Sequence, residues 1–169
     1  MKKILMIIAP EDFRDEELLR PKEIFEKNEF KVVIASTSLN TAKGMLGAKI
    51  KPDILLTDVI VDDYVAVVFV GGIGASCYWE DHLAHKIAND AYNKGKIVSA
   101  ICIAPVTLAN AGLLSGKKAT VWESEAGLLK KKGAQYTGRS VERDGKIITA
   151  SGPFAAEEFA DTILKVLSE

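Results

Sequence analysis

Several short runs of this chain are apolar at nearly every position: Ile4 to Ala9, Lys31 to Ser36, Val65 to Val70 and Ile97 to Ile101. A strand with one wet face alternates polar and apolar residues; a strand covered on both faces does not need to. These runs are too short for buried helices and too uniform for a half-exposed sheet. They demand helices on both sides. The intervening segments supply them. Leu18, Leu19, Ile24 and Phe25 share one side of a helical pattern, and Leu83, Ile87 and Ala91 recur at spacing four. Ala156, Phe159, Ala160, Ile163, Leu164 and Leu167 form a closing apolar stripe from Ala155 to about Leu167. Strand alternating with helix predicts a three-layer α/β/α sandwich on a mainly parallel sheet.

Punctuation residues supply the details. Gly95, Gly112 and Gly133 stop helices over residues 80–94, 104–111 and 124–132. Thr41 to Asp58 reads as a small hairpin or edge excursion, and Lys118 to Val121 as a short strand. Tyr136 to Glu142 and Ile147 to Ala150 read as a hairpin around Asp144-Gly145. Pro21 lies inside the first helical pattern and clashes with the carbonyl of Glu17, so the helix proper is expected to start or kink there. Glu17 would then sit in a loosened first turn near the end of the first strand.

At 169 residues, the chain is expected to form one domain, 1–169, with a core that needs no crosslinks. Basic and acidic residues nearly cancel, 22 against 23, which argues against nucleic acid as a partner. The opening Met1 to Pro10 superficially resembles a signal peptide, but its apolar run stops at Pro10-Glu11-Asp12 and reads as a buried strand. No run has membrane-spanning length. The two cysteines, Cys77 and Cys102, make neither a Cys-x-x-Cys motif nor a disulfide framework, so a cytoplasmic location is expected. Gly71-Gly-Ile-Gly74 lacks the dinucleotide spacing, and His82 and His85 read as solvated helix residues. Neither a cofactor nor a metal is expected.

The chemistry centres on Lys96-Ile-Val-Ser-Ala-Ile-Cys-Ile-Ala-Pro105, where a buried strand breaks into a turn at Cys102 and enters a helix. This is the outline of a nucleophile elbow with sulfur in place of oxygen. Free N–H groups at the helix start and the positive end of its dipole favour a thiolate, the reactive form of cysteine. An inert buried cysteine satisfies the same segment. The Gly71-Gly72 strand end would offer a backbone N–H, and Ile103 a second, to an oxyanion on a cysteine adduct. Glu17, held near Cys102 away from water, should have a raised pKa and donate a hydrogen bond to sulfur or shuttle a proton.

These segments together resemble the PfpI superfamily, which is related to class I glutamine amidotransferases and also holds the parkinsonism-associated deglycase. The resemblance covers the opening strand, Glu17-Leu-Leu-Arg-Pro21, the Gly71-Gly72 strand end, Ala100 to Pro105 and Asp144 to Pro153. It implies a flavodoxin-like sandwich, a reactive Cys102 beside Glu17, an oxyanion pocket from Gly72 and Ile103, and homo-oligomers, dimers or hexamers. It also carries departures. The protease branch has histidine after the cysteine, where this chain has Ile103. That branch also borrows a glutamate after its Gly-Gly, where Ser76 and Cys77 stand. The deglycase and glyoxalase branch has a histidine where Trp122 and Glu123 stand.

Three functions fit. The first is protection against oxidative or carbonyl stress, or redox sensing, through Cys102 and a small-molecule oxidant or carbonyl. The second is a cysteine-dependent glyoxalase, deglycase or amidase-like hydrolase with Cys102 as nucleophile and Glu17 as acid/base, peptidase activity being the weakest member. The third is a non-catalytic binding or chaperone-like module. Trp122, Glu123 and Cys77 are candidates for the pocket wall.

Overall fold

A computed structural model describes all 169 residues. In chain order the strands and helices are β1 (Lys3–Ile7), β2 (Glu11–Phe13), α1 (Asp15–Lys27), β3 (Lys31–Ser36), β4 (Ala42–Gly44), β5 (Lys49–Ile50), β6 (Ile54–Leu55) and β7 (Ala66–Phe69). They continue with α2 (His82–Asn93), β8 (Ile97–Ile101), α3 (Pro105–Asn110), β9 (Lys118–Ala119), α4 (Ala126–Lys131), β10 (Gln135–Tyr136), β11 (Val141–Asp144), β12 (Ile147–Ala150) and α5 (Ala156–Leu167).

The main sheet has seven strands in the order β11-β12-β8-β7-β1-β3-β6. Only β11 runs antiparallel to its neighbour. At the centre Leu5 of β1 lies opposite Val33 of β3 and Val67 of β7, so apolar side chains stack across three strands. The period of two then divides the sheet residues between two cores. Leu5, Ile7, Val67, Phe69, Val98 and Ala100 face α2 and α3. Ile4, Met6, Ile8, Val68, Val70 and Ile101 face α1 and α5, where Phe25 and Phe159 are wholly buried. The chain is therefore the expected three-layer, flavodoxin-like sandwich. No helix is long and apolar enough to cross a membrane.

Two expectations need correction. Helix α1 neither starts nor breaks at Pro21; it begins at Asp15 and contains the proline. Proline removes only the bond to the Glu17 carbonyl, and Leu18, Pro21, Ile24 and Phe25 are all buried, so packing against the sheet holds the helix through that gap. Tyr136 is not part of the β11–β12 hairpin. It belongs to β10, which pairs in parallel with β9 as a separate ribbon, because Gly138 turns the chain in the left-handed region at φ +71°. On α5 the expected stripe is in place, with Leu164 and Leu167 half-buried against the same core and Val166 buried beside them. Thr41 to Asp58 resolves into both readings, a β4–β5 hairpin and an edge strand, β6, added beside β3.

The β4–β5 hairpin reaches the functional end of the sheet. β2 pairs with β4 beyond the carboxyl end of β1. The buried Asp15 carboxylate accepts the N–H groups of Leu46 at 2.9 Å and Ala48 at 2.8 Å. That clasp fixes the hairpin loop beside the strand ends where, in sheets of this kind, ligands bind.

Candidate functional site

Cys102 stands immediately after β8, in the turn that leads into α3, with its backbone in the left-handed region at φ +65°. A non-glycine residue there is strained, and it persists only when its surroundings fix it. Two bonds do so. The Cys102 N–H donates to the Ala150 carbonyl at 2.9 Å, and its carbonyl accepts the Trp122 N–H at 2.7 Å. From the cleft side, the Trp79 indole N–H donates to the carbonyl of Ile103 at 3.1 Å. Held this way, the residue is 8% exposed, and the N–H groups of Gly72 and Ile103 face the sulfur.

Glu17 approaches from α1. It has no exposure to solvent, and neither carboxyl oxygen meets a hydrogen-bond partner at full geometry. Its polar neighbours are the Cys102 thiol and the Gly71 N–H. Gly71 is the seam between them. A Cβ at that position would collide with the Glu17 carboxyl, the Cys102 Cβ and the Ile101 carbonyl. Gly72 is needed for a different reason, its φ of +100° as the chain leaves β7.

Burial raises the Glu17 pKa from 4.5 to about 8, against the opposing pull of Cys102, the Gly71 N–H and Arg14. The carboxyl is therefore mainly protonated at neutral pH, as its position suggested. Cys102 departs from expectation. Burial pushes its thiol up to about 12, the Glu17 charge adds to that, and the Gly72 and Ile103 N–H groups oppose it without prevailing. The donors anticipated from the elbow are in place, but desolvation outweighs them.

Above the pair opens a cleft of about 510 Å³. Its apolar wall includes Met45, Ile73, Trp79 and Trp122, and its polar lining includes Arg14, Ser76, Ser124 and Glu125. Arg14 is tied to Glu16 by an ion pair at 2.9 Å. Of the pocket candidates, Trp122 lines the cleft. Glu123 turns into a neighbouring groove instead, and Cys77 is an exposed thiol on the turn Ile73–Tyr78 whose neighbour Ser76 takes the place in the wall. The histidines stay on α2, where His85 Nε2 lies 2.8 Å from the Trp79 carbonyl and donates to it. Sequence reasoning missed Arg14 and Met45. Arg14 had a local signal, one residue before an acidic helix start. Met45 had none, since it reaches the cleft through long-range pairing: its N–H donates to the Phe13 carbonyl at 2.8 Å, beside the β2–β4 pairing and the Asp15 clasp.

A parallel sandwich with a cysteine elbow over a buried carboxyl defines the class. The model of the DJ-1/PfpI family matches residues 2–166, and the chain belongs to that family. Among its relatives, an uncharacterised protein of Methanocaldococcus jannaschii is 48% identical over 99% of this chain and 83% of its own. Deglycase PfpI of Pyrococcus furiosus is 30% identical, with 89% of this chain and 90% of that protein covered. The glutathione-independent glyoxalase DJR-1.2 of Caenorhabditis elegans is 26% identical, with 98% and 89% covered. A ThiJ/PfpI domain protein from Brachyspira murdochii superposes with a TM-score of 0.96 at 33% identity, covering 98% of this chain and 96% of that one.

Proposed function

We propose that this protein guards against oxidative and carbonyl stress by forming covalent adducts of small electrophiles on Cys102, with Glu17 as its proton partner. The observation that carries this reading is the sealed pair itself: one sulfur and one carboxyl, side by side beneath an open cleft, with two backbone N–H groups facing the sulfur.

The pair titrates as a unit. At neutral pH it holds two protons; the first leaves near 8. With one proton left, the charge rests mainly on the Glu17 carboxylate, because the Cys102 thiol holds its proton up to about 12. Transfer of the Cys102 proton to that carboxylate gives the reacting tautomer, a thiolate that receives the Gly72 and Ile103 N–H groups and a hydrogen bond from the newly protonated Glu17. This arrangement is the nucleophile. With peroxide, sulfur attacks one oxygen, the O–O bond breaks, and the departing hydroxide takes a proton and leaves as water. The sulfur–oxygen group that results lies within reach of the same three donors. A second peroxide converts it to the sulfinate by the same bond changes.

Carbonyl chemistry is the second reading, favoured by a cleft larger than peroxide requires and by relatives named for glyoxalase and deglycase activity. The thiolate adds to the aldehyde carbon, the oxygen takes the Glu17 proton, and a hemithioacetal forms.

Intact mass after mild peroxide tests the first reading. One and then two added oxygen atoms should map to Cys102, with a rate that rises through a pH near 8 in the native protein and loses that midpoint in Glu17→Gln. Oxygen on the methionines alone would sink it. For the second, methylglyoxal loss should fall to the buffer rate in Cys102→Ala; equal rates with and without the thiol remove it.

A further inference from the structure

Trp122 lines two spaces at once: the cleft over Cys102, about 510 Å³, and a separate groove of about 460 Å³ bounded by Glu123, Tyr136, Ser151 and Phe154. Its backbone cannot drift, because its N–H is bonded to the Cys102 carbonyl at 2.7 Å. Trp122 stays 41% exposed, but one edge of its ring is seated. A Cβ at Gly152 would lie 3.0 Å from two carbons of the indole and 3.1 Å from the ring of Phe154. Gly152 has an extended backbone, φ 169°, that any residue adopts. The glycine there is consequently a matter of space, and the space is taken by the indole.

We propose that Trp122 is the size filter of the Cys102 cleft. Its ring is the partition that closes the cleft against the groove, so that Cys102 receives small electrophiles and excludes those carrying a bulky apolar substituent. Removing the ring joins the two spaces and extends the substrate class to carbonyls or alkylating agents with an aryl-sized group. The inference rests on the reading that electrophiles reach Cys102 through this cleft, and it adds what sets their upper size. Misfit at a pocket wall commonly changes rates by about ten- to two-hundredfold, so the filter should be readable in kinetics.

The test uses the full chain with Cys77→Ser, because Cys77 is an exposed thiol outside the cleft. Cys102 is alkylated in parallel with iodoacetamide and with a pyrene maleimide, and the adducts are located by peptide mass. The ratio of the two rates cancels any change in thiolate fraction, since both reagents consume the same thiolate. Trp122→Ala should raise the pyrene rate relative to the iodoacetamide rate by about tenfold or more. Gly152→Ala should shift the same ratio by displacing the ring while leaving the thermal midpoint near that of the parent. An unchanged ratio in both variants overturns the filter, as does equal acceleration of both reagents, which would mean a loosened elbow. Peroxide oxidation of the parent is unaffected by either result, so this failure is separable from failure of the proposed function. A parent Cys102 untouched by iodoacetamide would refute the route itself.

Discussion

Glu17→Gln isolates the cost of placing a carboxylate where no water reaches. The unfolded chain titrates this residue at its ordinary value of 4.5 and the folded chain at about 8. At about 1.4 kcal/mol per pH unit, that gap makes the ionised folded state on the order of 5 kcal/mol less stable than the protonated one. The direction comes from proton counts. Below 4.5 both states hold the proton and the stabilisation is complete. Between 4.5 and 8 the unfolded chain has released it and the folded chain has not, so each rise in pH favours unfolding. Above 8 both have released it and the loss is complete. Cys102, at about 12, does not complicate this window. Between pH 6 and pH 9 the native protein should therefore lose roughly 2–3 kcal/mol that Glu17→Gln does not lose, because the amide is neutral throughout. Urea unfolding of both proteins at half-unit pH steps measures this directly, and titrations common to the two cancel in the difference. Stability curves that stay parallel within about 0.5 kcal/mol across that range would refute the buried, neutral carboxyl, and with it the proton-sharing argument for Cys102.

Two further outcomes can be checked on the same scaffold. Gly71→Ala forces a methyl group against the Glu17 carboxyl and the Cys102 Cβ; it should cost about 1–3 kcal/mol and abolish the pH-dependent step in Cys102 oxidation, which a merely destabilised but intact pair would keep. Asp15→Ala leaves the Leu46 and Ala48 amides without their acceptor. Hydrogen exchange at those two amides should accelerate by at least about tenfold while β1 and β7 amides keep their protection, and uniform acceleration would mean global destabilisation instead.

The sheet was legible because its signal is local. Each central strand is a run such as Val65 to Val70, whose uniform apolarity admits few other environments, and Gly95, Gly112 and Gly133 end helices by backbone geometry alone. Cys102 was legible because it ends a buried strand; Glu17 was placed beside it through a helix break at Pro21 that the structure does not contain, since α1 already runs from Asp15. What stayed hidden depends on distant packing. Pro21 was read by its local cost, but burial of Leu18, Ile24 and Phe25 exceeds that cost. Tyr136 was attached to the nearest hairpin, when its partner is β9, across α4. The Cys102 ionisation was read from the helix start, a nearby and visible effect, whereas its sign is set by how completely the walls of the cleft exclude water. Cys77 and Glu123 obey the same logic: their neighbours Ser76 and Trp122 reach the cleft, and one residue's rotation along a tight turn separates lining from bystander.

The elbow has a mechanical consequence. Cys102 packs with the α1/α5 core, while Ala104, two residues later, packs with the α2/α3 core. The chain thus passes between the two outer layers at the Cys102 sulfur, and Glu17 is rooted in one of those layers. The sulfur-to-carboxyl spacing is in effect a gauge of how the whole sandwich is assembled. A void opened in either layer where it packs against the elbow should change that spacing, and the proposed oxidation of Cys102 would report it.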